Sequence, residues 1–76
     1  MRYPEPGDIA RDMGNIQFRF GRRNQNATHI HMETGDQAYF DYDKGLWKVL
    51  QPHFSVGFAL AWVDAEDQDP DHYRKL

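Results

Sequence analysis

The chain has 76 residues and a formal net charge of −3, which indicates one small domain with a modest hydrophobic core. It contains no cysteine, so disulfide bonds and thiolate metal sites are excluded. No segment approaches the roughly 18–20 apolar residues that a membrane-spanning helix needs. Because no apolar run follows the initial Met either, we expect a cytoplasmic protein without membrane contact.

Charge is distributed unevenly along the chain. Residues 1–31 carry five Arg and three acids, and residues 72–76 add two bases. Residues 32–71 carry two Lys against nine acids, which gives this segment a net charge of −7. Such an acidic body disfavours nonspecific nucleic-acid binding, which depends on neutralising phosphates, and suits a basic protein partner.

The N-terminal residues predict an arm followed by a short helix. Two prolines and a glycine within residues 1–7 favour an extended arm. Asp8 is a suitable helix cap and Gly14 a suitable end, so we predict a helix over residues 8–14.

From Asn15 the apolar residues recur with a period of two, which predicts three half-buried strands over residues 15–21, 28–33 and 37–43. The apolar face comprises Ile16, Phe18, Phe20, Ile30, Met32, Ala38, Phe40 and Tyr42. The opposite face of the second and third strands comprises His29, His31, Glu33, Tyr39, Asp41 and Asp43.

Turn lengths decide which residues of neighbouring strands face each other. A three-residue loop over residues 34–36 would place Met32 opposite Ala38, whereas a slip of one residue would turn every side chain over. The next turn, a two-residue Lys-Gly hairpin, would place Tyr42 opposite Trp47. Both predicted registers set apolar side chains against apolar side chains.

The C-terminal half predicts a fourth strand over residues 46–50 and an ambiguous segment after it. Residues 54–65 are apolar enough for a strand or a helix, and we favour a fifth strand because acids follow this segment, where a helix dipole disfavours them. Gly57 would also cost a helix about 1 kcal/mol. Residues 64–76 are predicted to be an acidic tail with a short terminal helix, capped by Asp69 with Pro70 at its first position.

Together these elements predict a mainly β fold in a single domain of residues 1–76. We expect an antiparallel meander of four or five strands, curled or barrel-like, with short helices at both ends; an α+β fold is the alternative if residues 54–65 are helical. The predicted core comprises Ile16, Phe18, Phe20, Ile30, Met32, Phe40, Tyr42, Trp47, Val49, Phe58, Leu60 and Trp62.

The histidine pair is the arrangement most suggestive of chemistry. In the predicted register His29 and His31 share a strand face with Glu33, and His29 lies opposite Asp41. Two imidazoles and a carboxylate form a ligand set for zinc or non-heme iron, so His29, His31 and Asp41 are the candidate metal ligands. The interpretation that we favour is structural His–Asp pairing on a solvent-facing sheet, with no cofactor.

Residues 16–42, IQFRFGRRNQNATHIHMETGDQAYFDY, resemble a short bacterial domain family of unknown function that is associated with toxin–antitoxin-type operons. Its members have an aromatic strand, an Asn-containing loop, a His-x-His strand and a Gly-bearing turn into a further strand. The family has prolines just before its histidines, where this chain has Asn26, Ala27 and Thr28. The resemblance implies a helical segment after the sheet, and no catalytic residues beyond the histidine pair.

We expect a non-enzymatic protein that binds a basic protein partner, because a small sheet without a second layer has little room for a water-excluding cleft. A phage- or mobile-element-borne inhibitor of host or defence machinery, or an antitoxin-like regulator, would have this character. The residues predicted to contact the partner are Asp36, Asp41, Asp43, Asp64, Glu66, Asp67, Asp69, Asp71, Arg22 and Arg23.

Two alternatives use other residues. A small metal-binding protein would use the His-x-His strand. A nucleic-acid-binding module would use the basic loop and one exposed ring, namely Arg19, Arg22, Arg23 and Tyr39.

Overall fold

A computed structural model describes residues 17–76, which form one sheet of five antiparallel strands. The strands are β1 (His29–His31), β2 (Gln37–Asp41), β3 (Leu46–Pro52), β4 (Leu60–Asp64) and β5 (Tyr73–Lys75). Their order across the sheet is β4-β3-β2-β1-β5, so β1 to β4 form a meander and the chain then returns to place β5 beside β1. The prediction of a mainly β, antiparallel fold is confirmed.

The sheet is open rather than barrel-like, because β4 and β5 are its two edges. The helical elements of residues 17–76 are two single 3-10 turns, Phe54–Val56 and Pro70–His72. In this part of the chain, no helix has the length and apolar character needed to cross a bilayer. The predicted arm over residues 1–7, the helix over residues 8–14 and Ile16 lie outside the described residues.

The predicted first strand is replaced by a tight turn in its described part. Phe18 and Gly21 form an isolated bridge, and the Arg19 N–H donates to the Gly35 carbonyl at 3.0 Å. Gly21 adopts a φ of 98°, a conformation that glycine adopts without a steric penalty. The chain therefore reverses where the alternating pattern predicted that it would continue.

The register between β1 and β2 differs from the predicted one by an odd number of residues. His29 faces Ala38 and Ile30 faces Gln37. His31 N–H donates to the Asp36 carbonyl at 2.8 Å, which closes a four-residue loop over residues 32–35 in place of the predicted three-residue loop. The prediction that the histidines lie away from the core is therefore wrong, and His31 is 4% exposed on the core face.

The register between β2 and β3 differs from the predicted one by two residues. Phe40 faces Trp47, and a four-residue turn over residues 42–45 replaces the predicted two-residue hairpin. The Gly45 N–H closes this turn on the Asp41 carbonyl at 2.7 Å. A slip of two residues leaves each side chain on its predicted face, but it moves Tyr42 out of the sheet, where it is 88% exposed and not part of the core.

Residues 54–65 are neither one long strand nor a helix. A 3-10 turn occupies Phe54–Val56, and β4 begins only at Leu60. Gly57 and Phe58 both have positive φ values, 63° and 65°, which interrupt a strand and a helix alike. Phe58 and Leu60 are exposed, so their assignment to the core is also wrong.

The C-terminal segment confirms the predicted cap and contradicts the predicted helix. The Asp69 side chain accepts the Asp71 N–H, and Pro70 occupies the first helical position. The helix is a single 3-10 turn, however, and Tyr73 begins β5 in an extended conformation. The ladder with β1 and the burial of the Tyr73 ring outweigh the local helical preference of these residues.

The main hydrophobic cluster lies on one face of the sheet and is built around stacked rings, while Ile30 and Leu50 are buried on the opposite face. Trp47 and Tyr73 stack with ring centroids 4.1 Å apart and an interplanar angle of 7°. His29 meets the Trp47 ring edge-on at 4.9 Å. These rings cover small residues, so that a short chain fills its core with few side chains. The buried cluster comprises Ala38, Trp47, Val49, Ala65 and Tyr73, with Phe40 and Val63 packed against it.

Candidate functional site

An acidic cleft of about 210 Å³ opens on the core face of the sheet. Its walls come from the end of β1 and the loop after it, from β3 and from the segment after β4, with Arg19 and Tyr73 of β5 completing them. Four of its lining residues are carboxylates: Glu33, Asp36, Glu66 and Asp67. Arg19 is the basic residue among the lining side chains in the described part of the chain, so the cleft has a net negative charge.

Asp36 is the buried carboxylate of this cleft and is 3% exposed. Its Oδ2 accepts hydrogen bonds from the Thr34 hydroxyl at 2.9 Å and the Gln51 amide at 3.0 Å. The Arg19 guanidinium lies 3.5 Å from the same oxygen. The other oxygen, Oδ1, is also buried and accepts no hydrogen bond within residues 17–76. The two oxygens of this carboxylate therefore have very different surroundings.

A second carboxylate, Asp67, joins two histidines from distant parts of the chain. Its Oδ2 lies 2.7 Å from His31 Nε2 and 2.6 Å from His72 Nδ1. Its Oδ1 accepts the Asp69 N–H at 3.0 Å. The bond from His31, followed by those from Asp69 and His72, holds the pKa of the Asp67 carboxyl well below its usual range. The bond to Asp67 raises the pKa of His72.

Hydrogen bonds to the backbone define the tautomer of His31. Its Nδ1 accepts the N–H groups of Glu33 at 3.1 Å and Thr34 at 3.2 Å, so this nitrogen carries no proton. The proton is therefore on Nε2, from which it is donated to Asp67. We refer to His31, Asp67 and His72 as the His–Asp–His cluster.

This cluster has the composition of a metal site but not its protonation. Its candidate ligand atoms all lie within 4.8 Å of one another. A neutral imidazole that binds a metal through Nε2 carries its proton on Nδ1 and needs an acceptor there. In His31 that position faces two backbone donors, so metal binding would break both hydrogen bonds. The geometry favours a hydrogen-bonded cluster that fastens β5 and the segment before it to β1.

The predicted metal ligands His29, His31 and Asp41 are not brought together. His29 faces Ala38 rather than Asp41, and its Nδ1 lies 2.8 Å from the Thr28 hydroxyl. Burial, and then the nearby charge of Lys75, lowers the pKa of His29. Asp41 instead accepts backbone N–H groups within its own turn. Only His31 of the predicted set belongs to the cluster.

The residues predicted to contact a partner are divided between several surroundings. Asp36 is buried and so does not belong to an exposed acidic surface, whereas Glu66 and Asp67 line the cleft. Asp64 pairs with Lys48 at 3.1 Å. Among residues 17–76, the exposed carboxylates outside the cleft are Asp43, Asp64, Asp69 and Asp71, and Asp41 is partly buried.

The basic loop is exposed and lies in the connection before β1. Arg23 donates to the Ala27 carbonyl at 3.1 Å, and the Arg22 carbonyl accepts the Gln37 side-chain amide. Neither arginine lines the cleft.

Sequence reasoning missed several residues of the cleft. Gln51 and Tyr73 are the clearest cases, since the first lies just after the predicted fourth strand and the second was predicted to lie in a helix. The Tyr73 hydroxyl donates to the Asp67 carbonyl at 2.6 Å. Burial, and then the charges of Asp67 and Asp36, raises the pKa of Tyr73 to about 12. Thr34 and Asp36 have the spacing typical of a side-chain-capped turn, which was a usable signal for their mutual hydrogen bonds.

No protein-family model, no curated protein and no solved structure matches this chain.

Proposed function

We propose that this chain is a binding module that recognises a basic protein partner through the acidic cleft and its rim. One observation carries the proposal: four carboxylates line a single cleft, and one of them, Asp36, is buried with an oxygen that lacks a donor within residues 17–76. Buried carboxylates are costly to a small domain unless their charge is matched. Arg19 lies 3.5 Å from Oδ2, and a cationic partner would add the donor that Oδ1 lacks.

Long-range charge supports the same partner. The acidic segment of residues 32–71 has a net charge of −7, and its exposed members after β4 continue from the rim of the cleft. Asp69 and Asp71 lie beside the His–Asp–His cluster on the 3-10 turn. Attraction of this kind accelerates the encounter with a basic surface and weakens as salt is added. An inhibitor or an antitoxin-like regulator would use such a surface to mask a basic region of its target.

A binding role suits the cleft better than a catalytic one. Both nitrogens of His31 are engaged, one by backbone N–H groups and one by Asp67. The Thr34 hydroxyl donates to Asp36 rather than to a histidine. The described lining residues therefore do not form a nucleophile paired with a general base.

The test is the association rate with a labelled octalysine peptide, measured by stopped-flow fluorescence at about 10 mM and about 150 mM salt. Charge reversal at the rim, Glu66→Lys, should slow association about three- to tenfold at the lower salt and less at the higher. Asp43→Lys is the matched control, since it makes the same change in net charge on an exposed turn that does not line the cleft. Equal slowing by both variants would show that net charge, and not the cleft, attracts the peptide.

A further inference from the structure

We infer that the acidic cleft binds a single primary ammonium group, the side-chain terminus of a partner's lysine, with Asp36 Oδ1 as its main acceptor. This assignment rests on the proposed function, because it names the side chain that the cleft takes. Three features of the cleft support it: the unequal use of the Asp36 oxygens, the cation that already lies beside them, and the apolar walls.

Asp36 Oδ2 is occupied and Oδ1 is not. Oδ2 has the Thr34 hydroxyl, the Gln51 amide and the Arg19 guanidinium around it. Oδ1 has no donor within residues 17–76, although a buried ionised oxygen without a donor is energetically costly. A ligand that donates to Oδ1 removes this cost, so the site favours a donor and, because the carboxylate is negative, a cationic one.

Arg19 shows that a cation is accommodated at this carboxylate. Its Nη1 lies 3.5 Å from Asp36 Oδ2, longer than the roughly 2.7–2.9 Å of a charge-assisted hydrogen bond, and its side chain is 48% exposed. Arg19 is therefore an internal cation at the edge of this carboxylate, and its guanidinium carbon also lies 4.8 Å from the centroid of the Phe20 ring. Asp36 lines the cleft and its Oδ1 is buried, so an incoming ammonium reaches this oxygen only if a side chain moves aside. We expect the exposed Arg19 guanidinium to be the group that moves.

The geometry favours an ammonium over a guanidinium. A guanidinium binds a carboxylate best through both oxygens at once, and here Oδ2 is already occupied. An ammonium is a compact point charge that can donate to one oxygen alone. Val49, Ala65 and the Tyr73 ring line the cleft and offer apolar contact to a four-carbon stem. The volume of about 210 Å³ is below the roughly 300–1,000 Å³ of drug-sized pockets and suits one side chain.

A divalent metal ion is a poorer match for the same cleft. Calcium takes about six to eight oxygen ligands. Both oxygens of Asp67 already accept hydrogen bonds, and Asp36 offers only Oδ1. Calcium therefore serves as the competing probe in the test.

The experiment is an NMR titration of the ¹⁵N-labelled chain with Nα-acetyl-lysine N-methylamide. This probe has about 14 non-hydrogen atoms, for which typical ligand efficiency gives a dissociation constant of about 1 mM. We expect saturable shifts at the Asp36 and Thr34 amides and at the Gln51 side-chain amide. The Nζ-acetylated probe, which lacks the charge, should cause none of them. Tighter binding of the arginine analogue, or the same shifts with calcium chloride, would overturn the assignment.

Variants separate the site from general attraction. Asp36→Asn should abolish the shifts, but this side chain also holds its neighbours in place. Arg19→Gln is therefore the second variant, and removing the internal cation should tighten lysine binding about three- to fivefold. Arg22→Gln makes the same change in net charge away from the cleft and should leave the affinity within about twofold. An equal gain in both variants would overturn the inference.

The two proposals fail in distinguishable ways. If Glu66→Lys slows association with octalysine but the lysine probe shifts no cleft resonance, the lysine assignment is wrong and the proposed acidic binding surface stands. If the probe binds at Asp36 but octalysine association is indifferent to Glu66→Lys, the cleft takes ammonium groups and the proposed rim is wrong.

Discussion

Zinc provides a direct test of the proton positions in the His–Asp–His cluster. Coordination through His31 Nε2 would transfer the ring proton to Nδ1, which faces the N–H groups of Glu33 and Thr34. Loss of these two hydrogen bonds costs about 1–3 kcal/mol in total, at about 0.5–1.5 kcal/mol each. Coordination would also replace the bonds of 2.7 Å and 2.6 Å that Asp67 Oδ2 makes to the two rings. We therefore expect no tight zinc binding at this cluster.

The zinc-dependent change in Tm that we expect is much smaller than the change that a true metal site would give. At a free zinc concentration about 100 times its dissociation constant, a micromolar zinc site would stabilise the fold by about 2.7 kcal/mol. That stabilisation would raise Tm by about 10–20 °C in a domain of this size. We expect a shift below about 2 °C in thermal melts with zinc chloride against EDTA. Nitrogen chemical shifts of His31 should report a proton on Nε2. A large zinc-dependent rise in Tm that His72→Ala abolishes would refute the assigned tautomer.

Three further expectations concern the stability of the fold. His72 has a raised pKa in the folded state, so its contribution to the free energy of unfolding is fully present below pH about 6.5 and is lost as pH rises through the folded pKa. The difference in unfolding free energy between wild type and His72→Gln should therefore shrink over that pH range. The lowered pKa of His29 changes stability in the opposite direction, but it does so equally in both proteins. Trp47→Ala should cost about 3–5 kcal/mol in urea unfolding, and Phe54→Ala, at a 74% exposed position, should change it by less than about 0.5 kcal/mol. Phe58→Asn should stabilise the fold by up to about 1 kcal/mol, because asparagine tolerates the positive φ at this exposed position; a loss of stability would mean that the ring makes a contact worth more than the strain.

The alternation of apolar residues was sufficient to predict an antiparallel sheet, but it did not predict the register of either hairpin. Between β2 and β3 the error was two residues, which the alternation tolerates, so Phe40 and Trp47 kept their predicted face. Between β1 and β2 the predicted register was wrong by an odd number of residues, so both histidines lie on the core face instead of the opposite face. Apolar matching disfavoured this register because it places polar rings inward. The apolar pattern carries no information on the hydrogen bonds that His31 makes on the core face, to Asp67 and to two backbone N–H groups.

The cleft was less predictable than the sheet because its lining residues come from five separate segments of the chain, namely residue 19 and residues 31–36, 49–51, 65–67 and 73. The predicted register set Asp41 opposite His29 and grouped both with His31 as candidate metal ligands, whereas the carboxylate that contacts His31 is Asp67. That contact exists only because β5 returns to the edge beside β1, and residues 73–75 had been predicted to be helical. Local signals, such as the Asp69 cap and Pro70, were readable because they depend on their immediate neighbours alone.

The even-length loop after β1 connects the register of the sheet to the chemistry of the cleft. This loop turns His31 onto the core face, and the backbone N–H groups of the loop define its tautomer. Its last hydrogen bond, from His31 N–H to the Asp36 carbonyl, brings Asp36 to the cleft as well. The odd-length loop would have buried Met32 instead and left both polar groups in water. A small domain that buries a carboxylate with one oxygen lacking a donor within residues 17–76 gives up folding free energy, and a cationic ligand that donates to that oxygen returns part of it on binding. The polar groups that made the register hard to predict are thus the groups from which we infer the function.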